Sequence, residues 1–268
     1  MSIRLDGEVA LVTGAGKGIG EAVARRLADA GARVAVTSRK AEDAQRIAAE
    51  VGSDHFGCGM DVGSSTSIAE AVASTCENIG IPTILVNNAG VNRIGPTETM
   101  TDENWDAVID VNLSGVFRCC REVGTLMLAE GRGSIINISS VIGTGIAMPW
   151  RAPYAASKAG VIGLTQMLAV EWTGRGVRVN AVLPGPTMTA MVKDAIAQGI
   201  VSEQNVVDRT PAGRFGTPQD IADAVLLLAT NESSFVTGQS ITVDGGYALW
   251  GASHPASQAF GQGSNATD

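Results

Sequence analysis

A chain of 268 residues, 45% apolar and 17% charged, is long enough to bury a large core as one α/β unit. Its formal net charge of −8 argues against a general nucleic-acid surface. No apolar run approaches the ~20 residues that span a bilayer, and the N-terminal stretch lacks the apolar core of a signal peptide. Cys58, Cys76, Cys119 and Cys120 show neither CxxC nor zinc spacing, which suggests a reducing compartment, so a cytoplasmic protein is expected. His55 and His254 are too few and too far apart in sequence to suggest a metal centre.

In chain order, Glu8-Val-Ala-Leu-Val-Thr13 is a short Val-rich run that reads as a buried parallel strand. It leads into Gly14-Ala-Gly16-Lys17-Gly18-Ile19-Gly20, then a helical pattern over 21–30, a stop at Gly31 and a second strand over 33–37. Such a βαβ unit, with glycines at its first turn, lets backbone approach a pyrophosphate at a helix N-terminus. An acid about ~20 residues past the glycines would bind a ribose 2′-OH. The sequence instead reads Thr37-Ser38-Arg39-Lys40, with no carboxylate before Glu42. A guanidinium suits a 2′-phosphate, and Lys17 adds a second cation, so NADP(H) is preferred, with NAD(H) as the second option.

Next come a helix over 41–51, a glycine-interrupted strand over 55–61, a helix over 65–79 and a strand over 83–87. Thr101 with the acids after it starts a helix that should run to about Glu130. A fifth strand spans 133–139, a helix begins near Tyr154 and runs to about Thr173, and strands follow at 178–183 and 240–243. With right-handed crossovers these elements give a doubly wound parallel sheet of seven strands, helices on both faces, and a ligand at the strands' carboxyl ends. In Tyr154-Ala-Ala-Ser-Lys158 the i, i+4 spacing puts phenol and ammonium on one helix face. A nearby cation favours the phenolate, moving a tyrosine from about 10 toward the range of proton transfer. Pro153 suits the helix's first turn.

Several further motifs complete a pattern. They are Thr13-Gly14-x-x-x-Gly18-x-Gly20, Asp61-Val62, Asn87-Asn88-Ala89-Gly90, Asn112, Ser139-Ser140, Tyr154-x-x-x-Lys158, Pro184-Gly185-Pro186-Thr187-Met188-Thr189 and Asp244-Gly245-Gly246. In this order they resemble the short-chain dehydrogenase/reductase family over nearly the whole chain. The resemblance implies a single Rossmann-type α/β domain over 1–247, followed by a tail, 248–268, rich in Ala, Ser and Gly. It implies catalytic roles for Tyr154 as proton donor or acceptor and for Lys158 in lowering the phenol's pKa and binding the nicotinamide ribose. Ser140, chosen over Ser139, would bind the substrate oxygen, and Asn112 would hold a water in the proton relay. It implies cofactor contacts from Gly14, Gly16, Lys17, Gly18, Ile19, Gly20, Ser38, Arg39, Asp61, Val62, Asn88, Ala89, Gly90, Tyr154, Lys158, Pro184, Gly185, Thr187 and Thr189.

The region 189–215 resembles a substrate lid, in which Met188, Met191, Val192 and Ile196 either wall the pocket or only pack the lid onto the body. Ile146, Met148 and Trp150 would face them, and no cation stands out to clamp a substrate carboxylate. Overall resemblance is to 3-oxoacyl-acyl-carrier-protein reductases, which implies a small carbonyl/alcohol substrate and an acyl-carrier protein as a partner. A basic patch for that partner would draw on Arg118, Arg121, Arg132 and Arg175, unless these are scattered surface arginines. A sugar, polyol or steroid alcohol dehydrogenase is the alternative within the family, and a non-catalytic NADP(H)-sensing regulator the alternative outside it. The long helices near 103–130 and 154–173 imply pairing into a homotetramer, with a dimer as the smaller option.

Overall fold

The computed structural model describes residues 4–251. Its centre is a sheet of seven parallel strands: β1 (Val9–Val12), β2 (Arg33–Ser38), β3 (Phe56–Gly59), β4 (Ile84–Asn87), β5 (Gly133–Ile138), β6 (Val177–Pro184) and β7 (Ser240–Val243), ordered β3-β2-β1-β4-β5-β6-β7. β1, β4 and β6 are buried along their full length, as expected of strands covered on both faces. Successive residues serve opposite faces: Ala10 and Val12 join one core, Val9 and Leu11 the other.

The first core lies under α1 (Gly18–Asp29), α2 (Ala41–Val51) and α9 (Pro218–Ala229). The second lies under α3 (Ser65–Ile79), α5 (Gly115–Glu130) and α6 (Ala152–Trp172). α4 (Asp102–Ile109) precedes α5, while α7 (Ala190–Ala197) and α8 (Glu203–Arg209) follow β6. α5 and α6 approach closely because Gly124 leaves room for the Trp172 ring, 2.6 Å from where a Cβ would stand. No helix among the described residues is long and apolar enough to cross a membrane.

Two differences from the sequence reading concern helices. The helix expected from Thr101 to Glu130 is interrupted by a π turn over Asp110–Ser114. The reason is tertiary: Asn112, at its centre, turns inward to bond the loop after β4. The sequence reading also passed over α9, although Thr217 and Asp220 form a capping box, Pro218 opens its first turn, and Ile221, Ala222, Val225 and Leu226 make an apolar stripe. His254 and residues 252–268 of the expected tail lie outside the described residues.

Candidate active site

Strand order reverses between β1 and β4, and a crevice opens at their carboxyl ends. Thr13 ties that crevice together. Its Oγ1 accepts the N–H groups of Asn88 and Ala89 at 3.0 and 2.9 Å, while the Asn88 amide donates to the carbonyls of Thr13 and Gly14, both at 3.0 Å. Gly14 has φ +63° and its missing Cβ would stand 2.8 Å from the Ala89 Cα, so only glycine lets the two turns touch. Ala15 donates to the Thr37 carbonyl at 2.8 Å and fixes the turn to β2.

This turn fits a dinucleotide pyrophosphate. α3, α4, α7, α8 and α9 each receive a side-chain cap, from Ser64, Thr101, Thr189, Ser202 and Thr217. The α1 N-cap residue, Lys17, gives none, so its first-turn N–H groups remain available to an anion. Beside Gly18 only the Thr189 methyl comes near, 3.8 Å from a notional Cβ, which brings the segment after β6 over the glycine turn. Ser38 and the exposed Arg39 stand at the end of β2. Asp43, from the first turn of α2, packs on Gly16 and was not weighed from sequence; its Cβ is 2.9 Å from where a Gly16 Cβ would be. Asp61 is exposed and accepts the Gly63 N–H at 2.9 Å, and Val62 is buried against Gly115. On the far side, Pro184 ends β6, Gly185 packs on Asp244, and Thr187 Oγ1 donates to the Gly185 carbonyl at 3.0 Å.

The second half of the site sits on α6 and the end of β5. Tyr154 and Lys158 share a face of α6, with the ammonium 5.7 Å from the centroid of the Tyr154 ring. Lys158 is buried and donates to the Ile138 carbonyl at 2.8 Å. Burial without a counter-ion lowers its pKa from 10.5 to about 8. Ser140 Oγ accepts the Ile142 N–H at 3.1 Å and acts on the Tyr154 phenol to lower its pKa, whereas the Ser139 hydroxyl is spent on the Lys158 carbonyl at 2.8 Å. The phenol departs from the expected lowering. Burial raises it above its ordinary value, opposed by the Ser140 hydrogen bond and the nearby Arg151 charge. Desolvation, which the sequence does not display, outweighs both here.

Asn112 is fully buried. Its Oδ1 accepts the Val91 N–H at 2.8 Å, and its Nδ2 donates to the Val91 carbonyl at 2.9 Å and to Ser157 at 3.2 Å. It thereby fixes Gly90, whose missing Cβ would stand 3.4 Å from Asn112 Oδ1 and 3.8 Å from Lys158 Nζ. One crevice thus brings together the glycine turn, Asn88–Gly90, Asn112, Ser140, Tyr154 and Lys158.

The surrounding walls are mixed. Met188, Val192 and Ile196 are half-buried, but Met191 points to solvent, 71% exposed. Ile146 packs with Val141 and Tyr247, while Met148 and Trp150 are exposed. Of the four arginines considered as a basic patch, Arg118 pairs with Asp110, Arg132 pairs with Glu8, and Arg121 stacks on Phe117.

Comparison with known proteins agrees with this architecture. A family model described as enoyl-(acyl carrier protein) reductase matches residues 14–248. The chain is 40% identical to a D-threitol dehydrogenase of Mycolicibacterium smegmatis, covering 92% of this chain and 95% of that protein. It is also 40% identical to a 3-oxoacyl-(acyl-carrier-protein) reductase of Thermotoga maritima, covering 92% and 100%. Among solved structures, a gluconate 5-dehydrogenase from Burkholderia cenocepacia, in complex with NADP and tartrate, superposes with a TM-score of 0.87 at 37% identity, covering 92% of this chain and 98% of that one. The glycine turn, the Ser–Tyr–Lys arrangement and these likenesses place the chain in the short-chain dehydrogenase/reductase family of oxidoreductases acting on alcohols and carbonyls.

Proposed function

We propose that the protein is an NADP(H)-dependent oxidoreductase for a small, polyhydroxylated carbonyl/secondary-alcohol pair. The observation that supports it is the meeting of the Ser140 hydroxyl and the Tyr154 phenol over the buried Lys158 ammonium, beside the glycine turn. When bound, the nicotinamide supplies or accepts the hydride. The protein's residues manage the oxygen and its proton. In reduction, Ser140 donates a hydrogen bond to the carbonyl oxygen, and the Tyr154 hydroxyl gives its proton as negative charge develops there. In oxidation, Tyr154 takes that proton back. Lys158 holds positive charge near the phenol and reaches the nicotinamide ribose. Asn112 fixes the Gly90–Val91 backbone beside the Lys158 ammonium and is assigned to the proton relay that refills Tyr154.

Gly14–Gly20 and Asn88–Gly90 receive the pyrophosphate and adjoining riboses, Asp61 and Val62 the adenine, and Pro184, Gly185, Thr187 and Thr189 the nicotinamide end. Lys17, Ser38 and Arg39 favour the 2′-phosphate, in keeping with the NADP in the gluconate 5-dehydrogenase complex. Relatives named as threitol and galactitol dehydrogenases support a polyol-class substrate. A carrier-bound 3-oxoacyl substrate, suggested by the reductase relatives, is the second reading. It has less support because Arg118 and Arg132 are already paired. Exposed Phe117 on α5 and Met167 and Val170 on α6 suit pairing between subunits, as in a homotetramer, and the unpaired cysteine spacing favours the cytoplasm.

A panel of ketones with NADPH, and of polyols with NADP, tests the proposal through nicotinamide absorbance, using wild type and Tyr154→Phe. Turnover that collapses in the variant is expected. Absence of turnover on every carbonyl and alcohol would instead favour a nucleotide sensor.

A further inference from the structure

The sequence singled out no cation for a substrate anion, yet the fold sets one at the entrance to α6, within one helical turn of Tyr154. Arg151 is the N-cap residue of α6, three positions before Tyr154, and its carbonyl accepts the Ala155 N–H at 2.9 Å. Its side chain is half-buried and, among the described residues, forms no ion pair or hydrogen bond. Seven of the fifteen arginines are paired with a carboxylate, and Arg151 is not among them. Partial burial of an unpaired guanidinium is unfavourable, and a planar fork of donors left open suits an oxyanion. The charge acts at the reacting end of the site, since it pulls the Tyr154 phenol downward against burial.

The backbone around Arg151 is held in place at a cost. Trp150 is the only non-glycine residue among those described with a positive φ, +66°, a conformation a bulky side chain rarely adopts. Its carbonyl accepts the Gly95 N–H at 3.1 Å, pinning the segment after β4 against the entrance to α6. That segment carries Arg93, exposed and, among the described residues, bonded only to the neighbouring Asn92 carbonyl at 3.4 Å. The nearby acids of the same stretch, Glu98, Asp102 and Glu103, pair with neither arginine. In a chain of net charge −8, this mouth carries two arginines with no acidic partner among the described residues.

We propose that Arg151 recognises a negatively charged group, a carboxylate or phosphate, carried by the substrate close to its reacting carbon, with Arg93 as the outer cation. The assignment rests on the oxidoreductase reading above and narrows its substrate to an oxo- or hydroxy-acid or a sugar phosphate. Matched pairs separate charge from shape: 3-oxobutanoate against its ethyl ester, dihydroxyacetone phosphate against dihydroxyacetone, and gluconate against glucitol in the oxidative direction. Wild type is expected to favour the charged member of at least one pair by tenfold or more in kcat/KM. Arg151→Gln is expected to reduce that preference by about 10–100-fold, mainly through KM, the range for a lost charge-assisted hydrogen bond. Arg151→Lys should restore part of it, and unchanged dinucleotide affinity shows that the variants are folded. The carboxylate and phosphate arms tell the two anions apart. No charge preference in any pair, or an equal loss on both members with Arg151→Gln, as phenol tuning alone would give, overturns the proposal. No turnover of any charged member by wild type, with turnover of uncharged ketones or polyols in the wider panel, overturns this proposal and leaves the oxidoreductase reading standing.

Discussion

Lys158→Met removes an ammonium that the fold buries without a carboxylate. Lys158 is 4% exposed, and burial takes its pKa from 10.5 to about 8. At pH 7 both folded and unfolded chains carry the proton, and holding it in the desolvated site costs folding about 3 kcal/mol. The substitution also strands the Ile138 carbonyl, which loses its 2.8 Å donor at a cost of about 1 kcal/mol. The variant should therefore be the more stable by about 2 kcal/mol at neutral pH, or about 4–8 °C in Tm. The pH dependence gives the sign. Between pH 8 and 10.5 the unfolded chain binds the proton that the folded chain has released, so wild-type stability rises with pH relative to the variant. The gap should close across that window and reverse slightly above it. Thermal melts of the ligand-free proteins at pH 7, 9 and 10.5 measure it. A variant less stable than wild type at pH 7, or a gap that ignores pH, would refute the reasoning. That the proposed activity depends on an amine which destabilises the fold is the expected trade at a functional site.

Arg39→Asp should lower the NADPH/NADH ratio of kcat/KM by about 10–100-fold, since it removes a charge-assisted contact and adds repulsion; an unmoved ratio would place 2′-phosphate recognition elsewhere, and Asp43 beside Gly16 would then point to NADH. Ser140→Ala should lower kcat by about 10²–10³-fold, as loss of an oxyanion donor does, whereas Ser139→Ala should act mainly on stability through the Lys158 carbonyl; equal kinetic losses would undo that division of labour. Gly124→Ala drives a methyl into the Trp172 ring and should destabilise by about 1–3 kcal/mol, whereas Gly163→Ala, in the α6 interior with nothing within 4 Å, should stabilise by about 0.5–1 kcal/mol. Urea titration of both glycine variants checks that contrast.

What could be read in advance was what local chemistry writes. The glycines at 14, 16, 18 and 20, the apolar run of β1 and the Tyr154–Lys158 spacing are local, and the structure brings them into one crevice. The capping box at Thr217 and Asp220 is equally local, so α9 was legible and simply passed over. The π turn at Asp110–Ser114 was not, because its cause is Asn112 bonding Val91 from 21 residues away. Nor was the upward shift of the phenol, which depends on burial rather than on the nearby lysine. Arg151 carries no sequence signal at all; only the fold shows it half-buried with no acid among the described residues.

The central claim is that the Tyr154 hydroxyl delivers the proton as hydride reaches the carbonyl carbon. Single-turnover oxidation of bound NADPH by a ketone substrate, followed in wild type and Tyr154→Phe, tests it directly, with dinucleotide affinity measured in parallel. The account predicts affinity within a few-fold of wild type and hydride transfer slower by about 10²–10⁴-fold, the range for loss of a general acid. Hydride transfer at the wild-type rate in Tyr154→Phe would contradict it.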